Sequence, residues 1–472
     1  MTAPTEAAPT RLTDRLSGSS GSDRVGLLGG LALGAVMLAV ALVVALTGPA
    51  APGAGTLAVT AGDGPRTVEV TLAGMRVSPA VIEVPGGTHL VLEVTNADGM
   101  QHDLALSSGQ RTPMLGAGES ATLDLGTVDA DASGWCTVAG HRVAGMTMEI
   151  AVTGADAGAT AASVGGGMDH GAAAGDGSGG IAIDPHASPG PRWQPYDPHL
   201  APLPGGTEHE VRLAVTDTEV EVAPGVVQTL WTFNGTAPGP TLHGSVGDLF
   251  TVTFVNEASM GHGIDFHAGS LAPDEPMRTL DPGEELTYQF VAQGSGAWLY
   301  HCSTMPMALH IANGMFGAVV IDPPGLAPVG TDLVLVQSEL YLGTQGGTAD
   351  EAALAQERPT AVVFNGYADQ YVHAPIEVGV GERVRIWVVD AGPQRSTSFH
   401  VVGGQFDTVF KEGAYLLRPG NAEQGLAQAL DLAPGQGGFV ELTLPEAGHY
   451  PFVDHAMVDG ERGARGILEA VP

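Results

Sequence analysis

Beyond about residue 55 the apolar positions recur with a period of two, in short runs closed by Gly, Pro, Asn or Asp. From Thr56 to Thr153 the runs are TVEVTLAGMRV, VIEVPGG, HLVLEVTN, ATLDLG and MTMEIAVT. Such alternation, rich in β-branched residues, predicts strands. From Gly154 to Gly206 the pattern is lost among Gly, Ala, Ser and Pro, and the stretch reads as a flexible linker, stiffened near SPGPRWQPYDP. Alternation returns in EHEVRLAVTDTEVEV, LFTVTFVNE, ELTYQFVA, AWLYHC and FGAVVIDP. A last block holds DLVLVQSEL, RVRIWVVDAG, SFHVVGG, FVELTLPEAG and GILEAV. The spacing predicts an all-β chain of three consecutive antiparallel Greek-key β-sandwiches, at 56–153, 207–328 and 329–472, with 154–206 as linker. Helix is expected only at Ala349–Gln356 and, more weakly, at Asn421–Ala429.

Residues 1–55 differ. Val25 to Thr47 is uncharged and apolar, long enough at about 1.5 Å per residue to cross a hydrocarbon core about 30 Å thick. Arg11, Arg15 and Arg24 precede it, so the positive-inside rule leaves the N-terminus in the cytoplasm and exports the rest. A cleaved signal peptide competes, because small residues follow at Pro49–Gly55. The run is longer than a usual signal core, which favours an uncleaved transmembrane helix as anchor. Either way the sandwiches are expected on the extracytoplasmic side.

Composition narrows the function. Lys and Arg number 18 against 52 Asp and Glu, a formal charge of −34, which excludes nucleic acid or anionic lipid as the main ligand. The 69 Gly and 33 Pro fit short strands joined by many turns. Only two cysteines occur, Cys136 and Cys302, in unlike contexts, so there is no disulfide framework. Sixteen histidines accompany them, and histidine is the commonest metal ligand.

Around Cys136 the chain reads WCTVAGHRVAGM, placing Cys136, His141 and Met146 in one loop. His102, in GMQHDLAL, ends an upstream strand-turn segment. One thiolate, two imidazoles and a weak axial thioether form the ligand set of a blue-copper electron-transfer site. The blander reading makes Cys136 a small core hydrophobe beside a surface histidine, but it leaves the joint spacing unexplained.

Around Cys302 the logic repeats in YHCSTMPMALHIANGM, with Cys302, His310 and Met315, and His262 upstream in GHGIDFH. Here extra groups attend. Adjacent strand residues point to opposite faces, so a buried Cys302 sends His301 outward. Asp265 and His267 share a face, opposite to His262. The inner set is then His262, Cys302, His310 and Met315; the outer set is Asp265, His267 and His301. Two outer imidazoles need a third ligand from another domain or chain. The third sandwich has no cysteine but offers His400 and His455.

The motifs HGIDFHAG, YHCSTMPMALHIANGM, FNGYADQYVHAPIEVGVGERVRIWVVDAGP, SFHVVGG and LPEAGHYPFVDHAM spread across Glu208–Pro472. In them the second and third sandwiches resemble the copper-containing nitrite reductases, cupredoxin-like proteins that reduce nitrite to nitric oxide by one electron. The resemblance implies a type 1 copper at His262, Cys302, His310 and Met315. It implies a type 2 copper at His267, His301 and His455, with Asp265 and His400 handling protons. It also implies a homotrimer in which the third sandwich of a neighbour completes the type 2 site. The first sandwich resembles a stand-alone cupredoxin of the plastocyanin or pseudoazurin kind, holding its own type 1 copper at His102, Cys136, His141 and Met146. The total becomes two type 1 coppers and one type 2 copper per chain, fed by an electron-donor protein or a membrane electron carrier. A laccase-like multicopper oxidase is the near rival, but its trinuclear cluster needs paired His-x-His motifs, and the sequence has none. A non-enzymatic, membrane-tethered copper or electron carrier is the other alternative, and it would need neither a third outer histidine nor an acid–base pair.

Overall fold

Period-two burial is visible strand by strand. Leu249–Asn256 alternates half-buried and buried positions along its whole length, and Thr88–Asn96 does nearly the same. These belong to a computed structural model that describes residues 56–59, 64–138, 141–142, 145–153, 181–191, 193–421 and 423–472. The apolar run Val25–Thr47 lies outside the described residues, as does most of the linker. No helix among the described residues is long and apolar enough to cross a membrane.

Six sheets form three two-sheet sandwiches. The first pairs a sheet of Thr56–Ala58, Val81–Pro85, Thr147–Thr153, Ala132–Trp135 and Ala105–Leu106 with one of Arg76–Ser78, Arg66–Ala73, Thr88–Asn96 and Ser120–Val128. The second pairs Val226–Phe233, Glu208–Ala223, Leu249–Asn256 and Glu285–Val291 with Leu242–Ser245, Phe316–Asp322, Gly296–His301 and Asp265–Phe266. The third has a six-stranded sheet built on Thr331–Leu340, Arg383–Asp390 and Gly437–Thr443, and a five-stranded one built on Arg465–Val471, Gly448–Asp454 and Thr397–Val401.

The sheets are mixed rather than purely antiparallel. Glu208–Ala223 runs parallel to Leu249–Asn256, Leu242–Ser245 to Phe316–Asp322, and Thr331–Leu340 to Arg383–Asp390. Alternation reports which face is buried and is blind to strand direction, so the sequence could not separate the two. TVEVTLAGMRV is two strands, broken at Gly74 and Met75, whose φ angles of 56° and 59° turn the chain. The helix expected at Ala349–Gln356 is Glu351–Ala355, capped by the Asp350 carboxylate. No helix occupies the described residues of Asn421–Ala429. Met307–Ala312, Gln370–His373 and Met457–Glu461 are helices too short for their periodicity to be read.

Each sandwich has its own core, and a further layer joins the second to the third. Ala297, Leu299, Phe316, Ala318 and Val320 pack there against Val334, Val336, Trp387 and Phe439. The strand Gly296–His301 is therefore covered on both faces. Tyr300 and Cys302 enter the core of the second sandwich while Ala297 and Leu299 enter the shared layer. The first sandwich rests on the third through Met75, packed with Val372 and Ile467, and through Arg76, whose Nη2 donates to His373 Nδ1 at 2.7 Å.

Candidate metal centres

In the first sandwich Cys136 follows strand Ala132–Trp135 and opens a tight loop. Cys136 N–H donates to the Met146 carbonyl at 3.1 Å, and Met146 N–H to the His141 carbonyl at 2.9 Å. Asp103 steadies the loop by accepting from Thr137 N–H and Oγ1 at 2.7 and 2.6 Å. His102 arrives from the facing segment. Its Nδ1 lies 3.1 Å from His141 Nδ1 and 3.8 Å from Cys136 Sγ, and His141 Nδ1 lies 3.5 Å from that sulfur. Donors each about 2 Å from a shared ion stand roughly 3–4 Å apart, so the spacing fits one. His102, Cys136, His141 and Met146 are all buried. His102 Nε2 meets the Asp98 carboxylate at 2.8 Å, which fixes its tautomer and leaves Nδ1 as the free lone pair.

The second sandwich repeats the arrangement. His262 Nδ1 and His310 Nδ1 are 3.2 Å apart, and Cys302 Sγ lies 3.9 and 3.2 Å from them. Seven residues separate Cys302 from His310, against four between Cys136 and His141. The extra length forms the helix Met307–Ala312 that carries His310. Cys302 N–H donates to the Met315 carbonyl at 3.2 Å, so Met315 closes the loop as Met146 does. Gly263 N–H points at Cys302 Sγ from 3.5 Å. The Trp231 ring packs on His310 and His262, with centroids 4.8 and 5.5 Å away.

The outer group forms at the edge of the same strand. Asp265 stands opposite His301 in the antiparallel pairing. His267 Nε2 lies 3.1 Å from His301 Nε2, and Asp265 Oδ2 3.9 Å from His267 Nε2. His301 Nδ1–H donates to the Cys302 carbonyl at 2.9 Å, freeing Nε2 as a ligand atom. His400 and His455 do not join this group within the chain. They pair with each other elsewhere on the third sandwich, ring centroids 5.4 Å apart. His400 Nδ1 donates to the Gln428 carbonyl at 2.6 Å, and His455 N–H to the Ser398 carbonyl at 2.8 Å. The third sandwich of the same chain meets His267 at Gly435, where a Cβ would lie 3.9 Å from His267 Cε1.

Electrostatics keep most of these rings neutral, the form that binds metal. Burial lowers His262 to about 4, helped by His310, and lowers His310 to about 4. Burial also lowers His141 to about 4, reinforced by His102, and lowers His267 together with the charge of His301. His102 is the exception. Burial opposes its charged form, but hydrogen bonds to Asp98 and Cys136 outweigh this and raise it to about 9.

Sequence reasoning missed Asp98, Trp231 and a matched pair of asparagines. Asn96 Nδ2 donates to the carbonyls of Met100 and Leu115, and Asn256 Nδ2 to those of Met260 and Leu280. Each asparagine lies six residues before its histidine, a repeat visible in the sequence. Nor did the sequence say where the first sandwich docks. Met100 Sδ lies 3.1 Å from His449 Nδ1 of the third sandwich. The rim of the second cysteine site, at Met260, Met305 and Met307, stays exposed.

β-Sandwiches that hold a buried Cys-His-His set with a methionine in the same loop are copper proteins of the cupredoxin kind. Comparison with known proteins agrees. A family model described as multicopper oxidase matches residues 214–325. Copper-containing nitrite reductase of Neisseria gonorrhoeae is 33% identical over 270 residues, covering 55% of this chain and 67% of that protein. The enzyme of the same description from Alcaligenes xylosoxydans xylosoxydans is 31% identical, covering 51% and 79%. The solved copper nitrite reductase of Nitrosomonas europaea superposes with a TM-score of 0.52 at 32% identity, covering 56% of this chain and 94% of that one. The chain belongs to the family of copper-containing nitrite reductases and is a copper oxidoreductase.

The depressed histidines set a pH window for the metal-free protein. His141, His262 and His310 have folded values near 4 against an ordinary value of 6.5. Below 6.5 the unfolded chain takes up these protons first, so stability is lost as pH falls from about 6.5 toward 4. His310→Gln should flatten that slope by about one proton in denaturant titrations of copper-free protein. An unchanged slope would show that His310 is not held neutral.

Proposed function

We propose that the protein reduces nitrite by one electron to nitric oxide and water at a type 2 copper held by His267, His301 and His455. A type 1 copper at His262, Cys302, His310 and Met315 would feed it, and the first sandwich, with a type 1 copper at His102, Cys136, His141 and Met146, is the electron-entry domain. The observation that carries this reading is the back-to-back arrangement on one strand: Cys302 in the inner donor set and His301 in the outer one are joined by a single peptide bond. Copper, when bound, changes oxidation state and offers an anion an open position.

The chain's own residues supply the rest. The reaction consumes two protons, so acids must stand within reach of the leaving oxygen. Asp265 is half-buried beside His267 and is assigned proton delivery. His400, held by the Gln428 carbonyl at Nδ1, keeps Nε2 free to relay a proton through water. The separation of His455 from His267 and His301 within one chain supports a homotrimer in which a neighbour's His400 and His455 complete each outer group. The same reading tethers the catalytic domains outside the cytoplasm by Val25–Thr47 and supplies electrons from a donor protein or membrane carrier.

Cys136→Ala is expected to remove one of two type 1 absorption and EPR signals and to slow turnover with a protein donor, while a small reductant still feeds Cys302. Unchanged turnover with the protein donor would remove the first sandwich from the route. Asp265→Asn is expected to retain copper yet lower nitrite turnover roughly 10²-fold or more, a usual scale for general acid–base help; near-normal turnover at full copper loading would end the assignment. Mixing His301→Ala chains with His455→Ala chains tests the shared site. Mixed trimers should regain part of the type 2 EPR signal and of the activity, because some interfaces carry both intact halves. No recovery in mixtures shown to contain both chains would mean that each chain builds its own site.

A further inference from the structure

Behind the His400–His455 pair lies a group of buried acids that the proposed chemistry does not use. Gln337 and Asp390 stand opposite each other on the parallel strands Thr331–Leu340 and Arg383–Asp390, and both are fully buried. Gln337 Nε2 donates to Asp454 Oδ2 at 3.2 Å. Asp454 Oδ1 accepts from Ser398 N–H at 2.9 Å and from Ala456 N–H at 3.0 Å. His455 sits between these anchors, its own N–H given to the Ser398 carbonyl. One carboxylate thus shapes the turn that presents His455 beside the strand of His400.

Several buried atoms here have no hydrogen-bond partner, among them Gln337 Oε1, Asp390 Oδ2, Thr397 Oγ1 and, at the edge of the group, Arg395 Nε and Asp459 Oδ1. The first two belong to cross-strand neighbours and, with Asp390 ionised, both are acceptors. Buried acceptors left unmatched are costly. The charged surroundings offer no remedy. Asp390 faces Glu339 and Asp454, with Asp459 close to the latter. Glu339 already accepts from the N–H groups of Gln394 and Arg395 and from the Tyr341 hydroxyl. Arg395, the nearby cation, turns its Nη2 to Asp459 at 3.6 Å. Glu412, beyond the Gly435–Gly437 segment, accepts from Gly437 N–H. Burial pushes the Asp390 carboxyl up to about 8; the N–H groups of Gly392 and Thr397 oppose this, and the charges of Glu339 and Asp454 add to it.

We infer that Asp390 is a positioning residue kept in its acid form, its Oδ2–H donating to Gln337 Oε1. The proton completes a one-way chain from Asp390 through Gln337 to Asp454 and the His455 turn. Gln337 has one amide to give, and its orientation is set from the Asp390 end. Ionised Asp390 would present an acceptor to an acceptor. Turning the Gln337 amide over would relieve that, but it withdraws the N–H from Asp454 and loosens the turn. The proton on Asp390 is a property of the chain alone; only its consequence at His455 rests on the copper reading.

A carboxyl whose native value lies above its ordinary one favours the folded state at low pH. That contribution is lost as pH rises from about 4 to about 8. Asp390→Asn keeps the shape and a donor but cannot ionise. In copper-free full-length protein at pH 7, infrared spectra should show a protonated-carboxyl band that the variant lacks and that the wild type loses near pH 8. The variant's stability relative to wild type should grow by about tenfold in unfolding constant per pH unit between pH 5 and 7. In copper-loaded protein the type 2 EPR signal of the wild type should change near pH 8, while that of Asp390→Asn should not. Gln337→Leu should lose the pH-dependent change by breaking the chain one step later. A variant-to-wild-type ratio that ignores pH overturns the inference, and so does failure of Asp390→Asn to fold. Stabilisation of wild type alone by added sodium or calcium ions would mean that a cation, not a proton, fills the gap. If the infrared and stability results hold but no copper is found at His455, the proton stands and the copper reading fails.

Discussion

Two neighbouring residues of a strand cannot share a face, and this molecule rests on that constraint. Residues 301 and 302 lie at the end of a strand whose two faces are both covered, one by the core of the second sandwich and the other by the layer shared with the third. Cys302 is thereby committed to one donor set and His301 to another, with a single peptide bond between them. Any one-residue slip in the pairing of Gly296–His301 would exchange the faces and dismantle both sets at once. The register is held on both sides, by Phe316–Asp322 and by Asp265–Phe266.

The same geometry explains why His400 and His455 stay apart from the outer group within one chain. The third sandwich already meets the second through the apolar layer and reaches His267 with the backbone of Gly435. Its two histidines sit on the other sheet, on and just after the strands Thr397–Val401 and Gly448–Asp454. The third sandwich therefore meets its own second one without bringing His400 or His455 to the outer group.

Much of this was legible in the sequence, for reasons that can be named. Alternation reported the strands because each has one face in a core, and it failed where both faces are covered: Phe316–Asp322 reads as a continuous apolar run. The two cysteine-centred groups were legible because each loop supplies several donors within a few residues, and parity assigns the outer group of Asp265, His267 and His301. Strand direction and the short helix under His310 were not, since neither leaves a periodic trace. Asp98 was hidden because an acid four residues before a histidine looks like any solvated turn. The resting place of the first sandwich was hidden because it depends on scattered contacts, Met75, Met100 and Arg76, that no local pattern marks.

The two cysteine sites differ most in what stands behind the first histidine. His102 leans on a carboxylate, whereas His262 Nε2 is buried with no partner and its ring lies against Trp231. A carboxylate makes the imidazole a stronger electron donor and places negative charge near the ion, favouring the more oxidised, more positive state. An apolar wall and an unassisted imidazole favour the reduced one. Were copper bound at both, this asymmetry would lower the reduction potential of the first site relative to the second. Under the proposed electron-entry role of the first sandwich, that difference would make transfer toward Cys302 downhill, with its direction set by one aspartate.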